Sequence, residues 1–322
     1  MATIYDVARR AGVSPATVSR VFNGVRVSEE KARLVRRAAA ELAFTPSRPA
    51  RALRRRNSEI IALIIPDIEN PFFTSLARGV EDVAQAAGYS VVLCNSDEDQ
   101  SKETRYLEIA ESEQMSGVIL AAAGDPSTAR GLVSSGRHVV AVDRAPGGLE
   151  VDAVLIDGRS GARLATQALT DNGFRRIACI TGPPEVESAT SRREGWSDVV
   201  GRLADPPTDL LHHTDYRIEG GRRAMSALLD LPQPPDAVFA ANNLTGVGAL
   251  QVLLERGLGP PDFGLAVFGD LPFALPGPGG IVSVRSPSRH LGETAARLLL
   301  ERIAGDDQPA RTIMLRATLA AS

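Results

Sequence analysis

The stretch Thr3-Ile4-Tyr5-Asp6-Val7-Ala8-Arg9-Arg10-Ala11-Gly12-Val13-Ser14-Pro15-Ala16-Thr17-Val18-Ser19-Arg20-Val21-Phe22-Asn23-Gly24 holds two helix starts, each followed by a glycine stop. Thr3 with Asp6 reads as an N-cap with a capping-box variant, and Ile4, Val7, Ala8 and Ala11 form one apolar stripe that ends at Gly12. Ser14 is a second N-cap with Pro15 at the first helical position. Val18, Val21 and Phe22 face inward until Asn23-Gly24 ends the helix. Two short helices around a tight glycine turn make a helix-turn-helix. Ser28 predicts the cap of a third helix, with Glu29 and Glu30 at its positive end and Ala32, Val35, Ala39 and Leu42 at core spacing. Periodicity alone fits a three-helix bundle without a nucleic-acid role equally well. The outward face of the second helix separates the two readings: Pro15, Ala16, Thr17, Ser19, Arg20 and Asn23 are short or hydrogen-bonding side chains that suit a major groove. Arg20 is the candidate for reading a guanine.

Charge divides the chain at the same place. Residues 1–58 carry 13 Lys and Arg against 4 Asp and Glu, whereas residues 59–322 carry 23 against 35, so the overall charge of −3 conceals a basic head on an acidic body. A basic head that binds phosphate and a body that is repelled by it explain the asymmetry; one enzyme domain does not. Arginine supplies nearly all the positive charge, lysine occurring only at Lys31 and Lys102. That bias suits bidentate phosphate and guanine contacts, but a GC-rich genome produces the same bias and is the weightier explanation. The 322 residues, 43% hydrophobic and 23% charged, suggest about two soluble domains. With neither a long apolar run nor a secretory leader pattern, a cytoplasmic protein with no membrane partner is expected. Cys94 and Cys179 sit in apolar strand-like runs and read as buried thiols rather than a disulfide.

From Ile60 onward, short apolar runs alternate with helical stretches: IIALIIP, a helix from Pro71, SVVLCNS, a helix over 101–115, GVILAAA, HVVAVD, AVLID, a helix over 159–172, RIACITG, helices over 190–203 and 217–230, AVFAA, a helix over 244–256, and LAVFG. This alternation predicts doubly wound parallel sheets, in too many strands for one, and therefore two similar subdomains with a ligand cleft at their strand ends. The residues following those strand ends are Asn70, Phe72, Phe73, Asp143, Arg144, Arg192, Tyr216, Asn242 and Asp270. Aromatic faces beside Asp, Asn and Arg suit a sugar. Phe72 and Phe73 read equally well as core, and Asp143-Arg144 as a surface ion pair. His138, His212, His213 and His290 have no ligand spacing, and His212-His213 reads as a surface pair. Gly246-Val247-Gly248 and Gly277-Pro278-Gly279-Gly280 lack the context of a nucleotide fingerprint, and no nucleophile–base set appears, so neither a cofactor nor enzymatic activity is expected.

The run Thr3-Ile4-Tyr5-Asp6-Val7-Ala8, Ala11-Gly12-Val13-Ser14, Thr17-Val18-Ser19-Arg20-Val21 and Asn23, followed by Pro46, Ala50-Arg51 and Leu53, resembles the headpiece of the lactose repressor (LacI) family. The resemblance implies an all-α helix-turn-helix headpiece over 1–45, a hinge helix over 46–58, and a core over 59–322 similar to type I periplasmic binding proteins. It implies that Pro15, Ala16 and Arg20 meet bases, and that Thr3, Tyr5, Ser14, Thr17, Ser19 and Asn23 lie along phosphates. Ala50, Arg51 and Leu53 would enter the minor groove, with Leu53 as a wedge between base pairs. Pro49 departs from the usual aliphatic residue but falls in the first turn of such a helix, where proline is tolerated.

For the core, the resemblance places the effector on Asn70, Phe72, Phe73, Asp143, Arg144, Arg192, Tyr216 and Asn242. Family members usually carry an Asp where this chain has Gly269, which leaves the carboxylate to Asp270. Removal of that carboxylate, together with Arg285 after the strand IVSV, leads to the expectation of a cationic site taking a phosphate- or carboxylate-bearing carbohydrate. The expected protein is a homodimeric regulator, a repressor of pseudo-palindromic operator DNA under small-molecule control. The alternatives are a soluble sugar-binding protein and a sugar-modifying enzyme. The run RTIMLRATL reads as a final strand without a heptad tail, and so predicts dimers rather than tetramers.

Overall fold

The computed structural model describes residues 2–22, 25–44, 58–203, 209–271 and 280–320. The chain divides into two compact units, 1–58 and 59–322. In the head, α1 (Ile4–Ala11) starts at a complete capping box: the Thr3 hydroxyl accepts from the Asp6 amide at 3.3 Å, and the Asp6 carboxylate accepts from the Thr3 amide at 2.9 Å. Gly12 ends it at φ +66°, a left-handed conformation that glycine adopts without penalty. The Ser14 hydroxyl caps α2 (Pro15–Phe22) by accepting from the Thr17 amide. α3 (Glu29–Glu41) departs from expectation, because Ser28 makes no side-chain cap bond and only its carbonyl is engaged, by Ala32. Val7, Ala8, Ala11, Val18, Val35, Ala38 and Ala39 form the head's core, and Arg10 ties α1 to Glu41 of α3.

The body contains the two parallel sheets predicted. Its elements are β1 (Ile60–Ile65), α4 (Pro71–Ala86), β2 (Ser90–Asn95), α5 (Gln100–Ser112), β3 (Gly117–Leu120), α6 (Ser127–Ser134), β4 (His138–Val142), β5 (Asp152–Ile156) and α7 (Gly158–Asp171), then β6 (Ile177–Thr181), α8 (Glu187–Val200), β7 (Leu211–His213), α9 (Ile218–Leu229), β8 (Ala237–Ala240), α10 (Asn243–Glu255), β9 (Gly264–Phe268), β10 (Ile281–Arg285), α11 (Ser288–Ile303), β11 (Thr312–Leu315) and β12 (Thr318–Leu319). The first sheet runs β2-β1-β3-β4-β5-β11 and the second β7-β6-β8-β9-β10-β12, with β12 alone antiparallel to its neighbour among the described pairings. β1 pairs with β2 and β3 on either side, and β6 with β7 and β8, so each sheet has its switch in strand order at its first strand. Side chains that follow those strands open into the crevice where such sheets take ligands.

Three elements were not legible. α6 and β7 are short, and α11 was missed although it is among the longest helices described. α11 packs on α4 at glycine distance: a Cβ on Gly292 would stand 2.1 Å from the Leu76 carbonyl oxygen, and one on Gly79 equally close to that of Arg289. The run RTIMLRATL is not one strand. It pairs first with β5 in one sheet and then with β10 in the other. His212 and His213 belong to the edge strand β7, half-buried and exposed respectively, and the His213 ring bonds the Gly182 carbonyl through Nδ1 at 2.7 Å. Both cysteines are buried free thiols, as expected, and burial raises the pKa of each.

Candidate functional site

The outer face of α2 keeps the polar pattern read from the sequence. Ala16 and Arg20 are exposed, Thr17 and Ser19 are half-buried, and Val18 alone of that helix is fully buried. Ser14 and Thr17 share a hydroxyl contact of 3.0 Å, and Thr3 and Tyr5 also stand exposed, Tyr5 by 66%. An aromatic that exposed contributes little to the head's core and is free to meet a partner. Asn23, Ala50, Arg51 and Leu53 lie outside the described residues, as does most of the proposed hinge.

In the body, a cleft of about 300 Å³ lies between the strand ends of the two sheets, and Asn70, Phe72, Phe73, Asp143, Arg144, Arg192, Tyr216, Asn242 and Asp270 all line it. Asn70 caps α4 by accepting from the Phe72 amide at 3.0 Å, and the same oxygen accepts from the Asn243 amide across the cleft at 3.1 Å. Phe72 and Phe73 meet edge to face, their centroids 4.9 Å apart. Phe73 is buried in the core, whereas Phe72 packs against that core and is only partly covered. Asn242 caps α10 through Thr245 and donates to the Tyr216 carbonyl at 3.1 Å, so its side chain orients the wall.

Asp143 and Arg144 are buried, not a surface pair. The Arg144 Nε donates to Asp143 at 3.3 Å, and its two terminal nitrogens grip the Glu98 carboxylate at 2.9 and 3.1 Å. Burial opposes the Arg144 charge, but Asp143 and Glu98 outweigh it and raise its pKa. Arg192 donates to the Ala241 carbonyl at 2.8 Å and lies 4.1 Å over the Phe268 ring, a cation–π arrangement. Its buried Nε has no hydrogen-bond partner among the described residues. Burial also raises the Tyr216 pKa, so its phenol stays neutral.

Two expectations need correction. Arg285 is not among the lining residues; it is 64% exposed and pairs at 3.5 Å with Asp270 at the rim. The cleft is also not cationic, since Arg144, Arg192 and Arg217 face Asp67, Asp97, Glu98, Asp143, Asp215 and Asp270. The sequence count overlooked the carboxylates that follow β2, which only the fold carries to the cleft. Gly269 has φ +109°, and a Cβ there would stand 3.2 Å from that of Asn243, so the backbone is shaped for glycine and not for the family's aspartate. Sequence reasoning also missed Phe268, Asn243 and Glu98. Phe268 and Asn243 stood beside residues already singled out and could have been found, whereas nothing local marked Glu98.

Comparison with known proteins agrees with both halves of this geometry. Residues 3–47 match the family described as "Bacterial regulatory proteins, lacI family". Residues 58–321 match "Periplasmic binding proteins and sugar binding domain of LacI family". The chain belongs to the LacI family. It is 37% identical over 305 residues to the ribose operon repressor of Halalkalibacterium halodurans, covering 94% of this chain and 91% of that one. Among solved structures, the transcriptional regulator CelR–cellobiose complex superposes with a TM-score of 0.75 at 29% identity over 100% of this chain and 99% of the other. The lac repressor dimer bound to operator and an anti-inducer gives 0.86 at 23% identity over 99% and 98%, which supports the fold. This LacI-family chain is thus a DNA-binding transcriptional regulator and not an enzyme. Among the described residues no helix is long and apolar enough to cross a membrane, and no cluster suits a metal.

Proposed function

We propose that this protein is a homodimeric repressor of pseudo-palindromic operator DNA whose affinity is set by a small carbohydrate bound in the body's cleft. The observation that carries the carbohydrate is the lining itself: the partly exposed rings of Phe72 and Tyr216 stand beside Asn70, Asp143, Arg144 and Arg192. A sugar presents an apolar ring face and a rim of hydroxyls, each able to donate and accept, and such a wall satisfies both. Ribose and cellobiose, named with two of the relatives above, are of this class. Closure by ligand and binding of operator are then coupled through one conformational equilibrium.

In this reading Arg20, with Pro15 and Ala16, meets base edges. Thr3, Tyr5, Ser14, Thr17, Ser19 and Asn23 hold phosphates, and Ala50, Arg51 and Leu53 contact the minor groove. The protein acts in the cytoplasm and sits on the nucleoid when bound to operator. The test is selection of an operator from random duplexes with the full chain, followed by titration of neutral sugars into the complex. A sugar that changes operator affinity at least tenfold supports the proposal; selection of no sequence, or an affinity that no sugar alters, overturns it.

A further inference from the structure

We propose that Glu98 is the specificity-determining residue of the cleft: by holding both terminal nitrogens of Arg144, it cancels that guanidinium's charge and restricts the effector to uncharged polyols. This rests on the carbohydrate reading above and deepens it. Arg144 is nine-tenths buried and has five N–H groups. One goes to Asp143 and two go to Glu98 in a fork-on-fork pair, so two remain. Two free N–H groups on a neutralised fork suit the lone pairs of hydroxyls. A phosphate or carboxylate in the same place would meet the carboxylates of Glu98 and Asp143 at close range, a like-charge contact that selects against it.

The backbone supports this reading. Asp97, Glu98 and Asp143 are non-glycine residues with φ of +54°, +58° and +64°, a left-handed conformation that is costly for side-chain-bearing residues. Two of the three, Glu98 and Asp143, hold the Arg144 guanidinium. The loop is held in place by the Asp97 carboxylate, which accepts from the Asn95 amide at 2.7 Å and pairs with Lys102. Beyond this pair stand Glu103, buried with its carboxylate on the Ala123 amide at 2.5 Å, and Arg192, 3.9 Å from Asp143. Arg144 and Arg192 therefore share the Asp143 carboxylate, and Glu98 supplies the second negative charge. Glu98 is 41% exposed and lines the cleft, so the restriction acts on any ligand that approaches Arg144.

The experiment compares wild type, Glu98→Gln and Glu98→Asp by thermal shift and calorimetry on the full chain. The probes are ribose, glucose and cellobiose, together with ribose 5-phosphate and glucose 6-phosphate. Wild type is expected to respond to a neutral sugar and not to its phosphate. Glu98→Gln frees the Arg144 charge while keeping the shape, and should bind the phosphate on the order of tenfold tighter than wild type does. Glu98→Asp keeps the charge and should keep the discrimination, which separates selectivity from a mere effect on folding. A Glu98→Gln protein that is folded, responds to the neutral sugar and rejects the phosphate as wild type does overturns the role of Glu98 alone. Wild type that prefers the phosphate also overturns it. If no neutral sugar and no phosphate binds wild type, the carbohydrate reading itself fails, and this inference with it.

Discussion

The ring of Tyr216 rests on the backbone of Gly182, so closely that a Cβ on Gly182 would stand 2.4 Å from the ring. Gly182 follows β6 and Tyr216 follows β7, so the absence of a side chain at one strand end lets the aromatic wall form at the next. Gly182→Ala is expected to push the ring into the cleft. The stability cost is about 1–3 kcal/mol, as for an overpacked site, while effector affinity falls by roughly tenfold or more. Calorimetry with the operative sugar checks this, and unchanged affinity would show that Tyr216 does not form part of the binding wall.

Asn70 and Asn243 should behave differently although they share one hydrogen bond. The Asn70 oxygen serves both the α4 cap and the cross-cleft donor, whereas the Asn243 amide serves the latter. Asn70→Ala therefore costs about 1 kcal/mol for the lost cap in addition to the link. Asn243→Ala is expected to leave thermal stability within about 1 kcal/mol of wild type, since one net hydrogen bond is lost. Small-angle scattering on the ligand-free body of Asn243→Ala should show a more open cleft. An unchanged profile would mean that this bond does not help hold the subdomains together.

How far the sequence could be read depends on the range over which each signal acts. Thr3 with Asp6, Ser14 with Pro15, and Gly12 are local chemistry, and the head follows them closely. Strand runs such as IIALII are visible because both faces are buried. α11 buries Leu291, Ala295, Leu298 and Leu299 at helical spacing beside the small Gly292 and Ala296, so its stripe was present in the sequence and was passed over. β11 and β12 are separated by Arg316 and Ala317 alone, and no periodicity could reveal that the chain changes sheets there. In the cleft, residues adjacent to strand ends were found. Glu98 was not, since its partner Arg144 lies 46 positions away and the acidic run Asp97-Glu98-Asp99 reads as a solvated turn.

Arg20 stands exposed on the polar face of α2. Arg20→Ala is expected to weaken the selected operator by about 1–3 kcal/mol and to relax preference at one base pair per half-site. Arg51→Ala, by contrast, should weaken all duplexes alike and reduce the dependence on salt. Binding to a set of single-base operator variants separates these outcomes. If Arg20→Ala lowers affinity for every variant equally, Arg20 contacts backbone rather than bases.

Asp152 joins the last helix and the crossing strands to the first sheet. Its side chain is 1% exposed and accepts from the Arg302 Nε and Nη2 nitrogens and the Arg311 backbone amide, each at 2.8 Å. Arg302 in turn donates to the carbonyls of Asp306, Gln308 and Pro309, which fixes the approach to β11. Burial pushes the Asp152 pKa up, but the Arg302 and Arg311 donors outweigh it and the net shift is downward. A carboxyl whose folded pKa lies below its unfolded value, about 3.9, stabilises the fold fully above that value, and this stabilisation is lost as pH falls through the folded pKa. Asp152→Asn leaves Arg302 without its counter-charge. The expected loss near neutrality is about 2–3 kcal/mol, less than for a fully buried pair because Arg302 retains some contact with water. Urea denaturation should therefore show a constant gap between wild type and Asp152→Asn from pH 7 to about pH 5, narrowing below about pH 4 as wild type protonates. A gap that stays constant well below pH 3 would show that the Asp152 charge is not what holds Arg302 and the crossing strands in place.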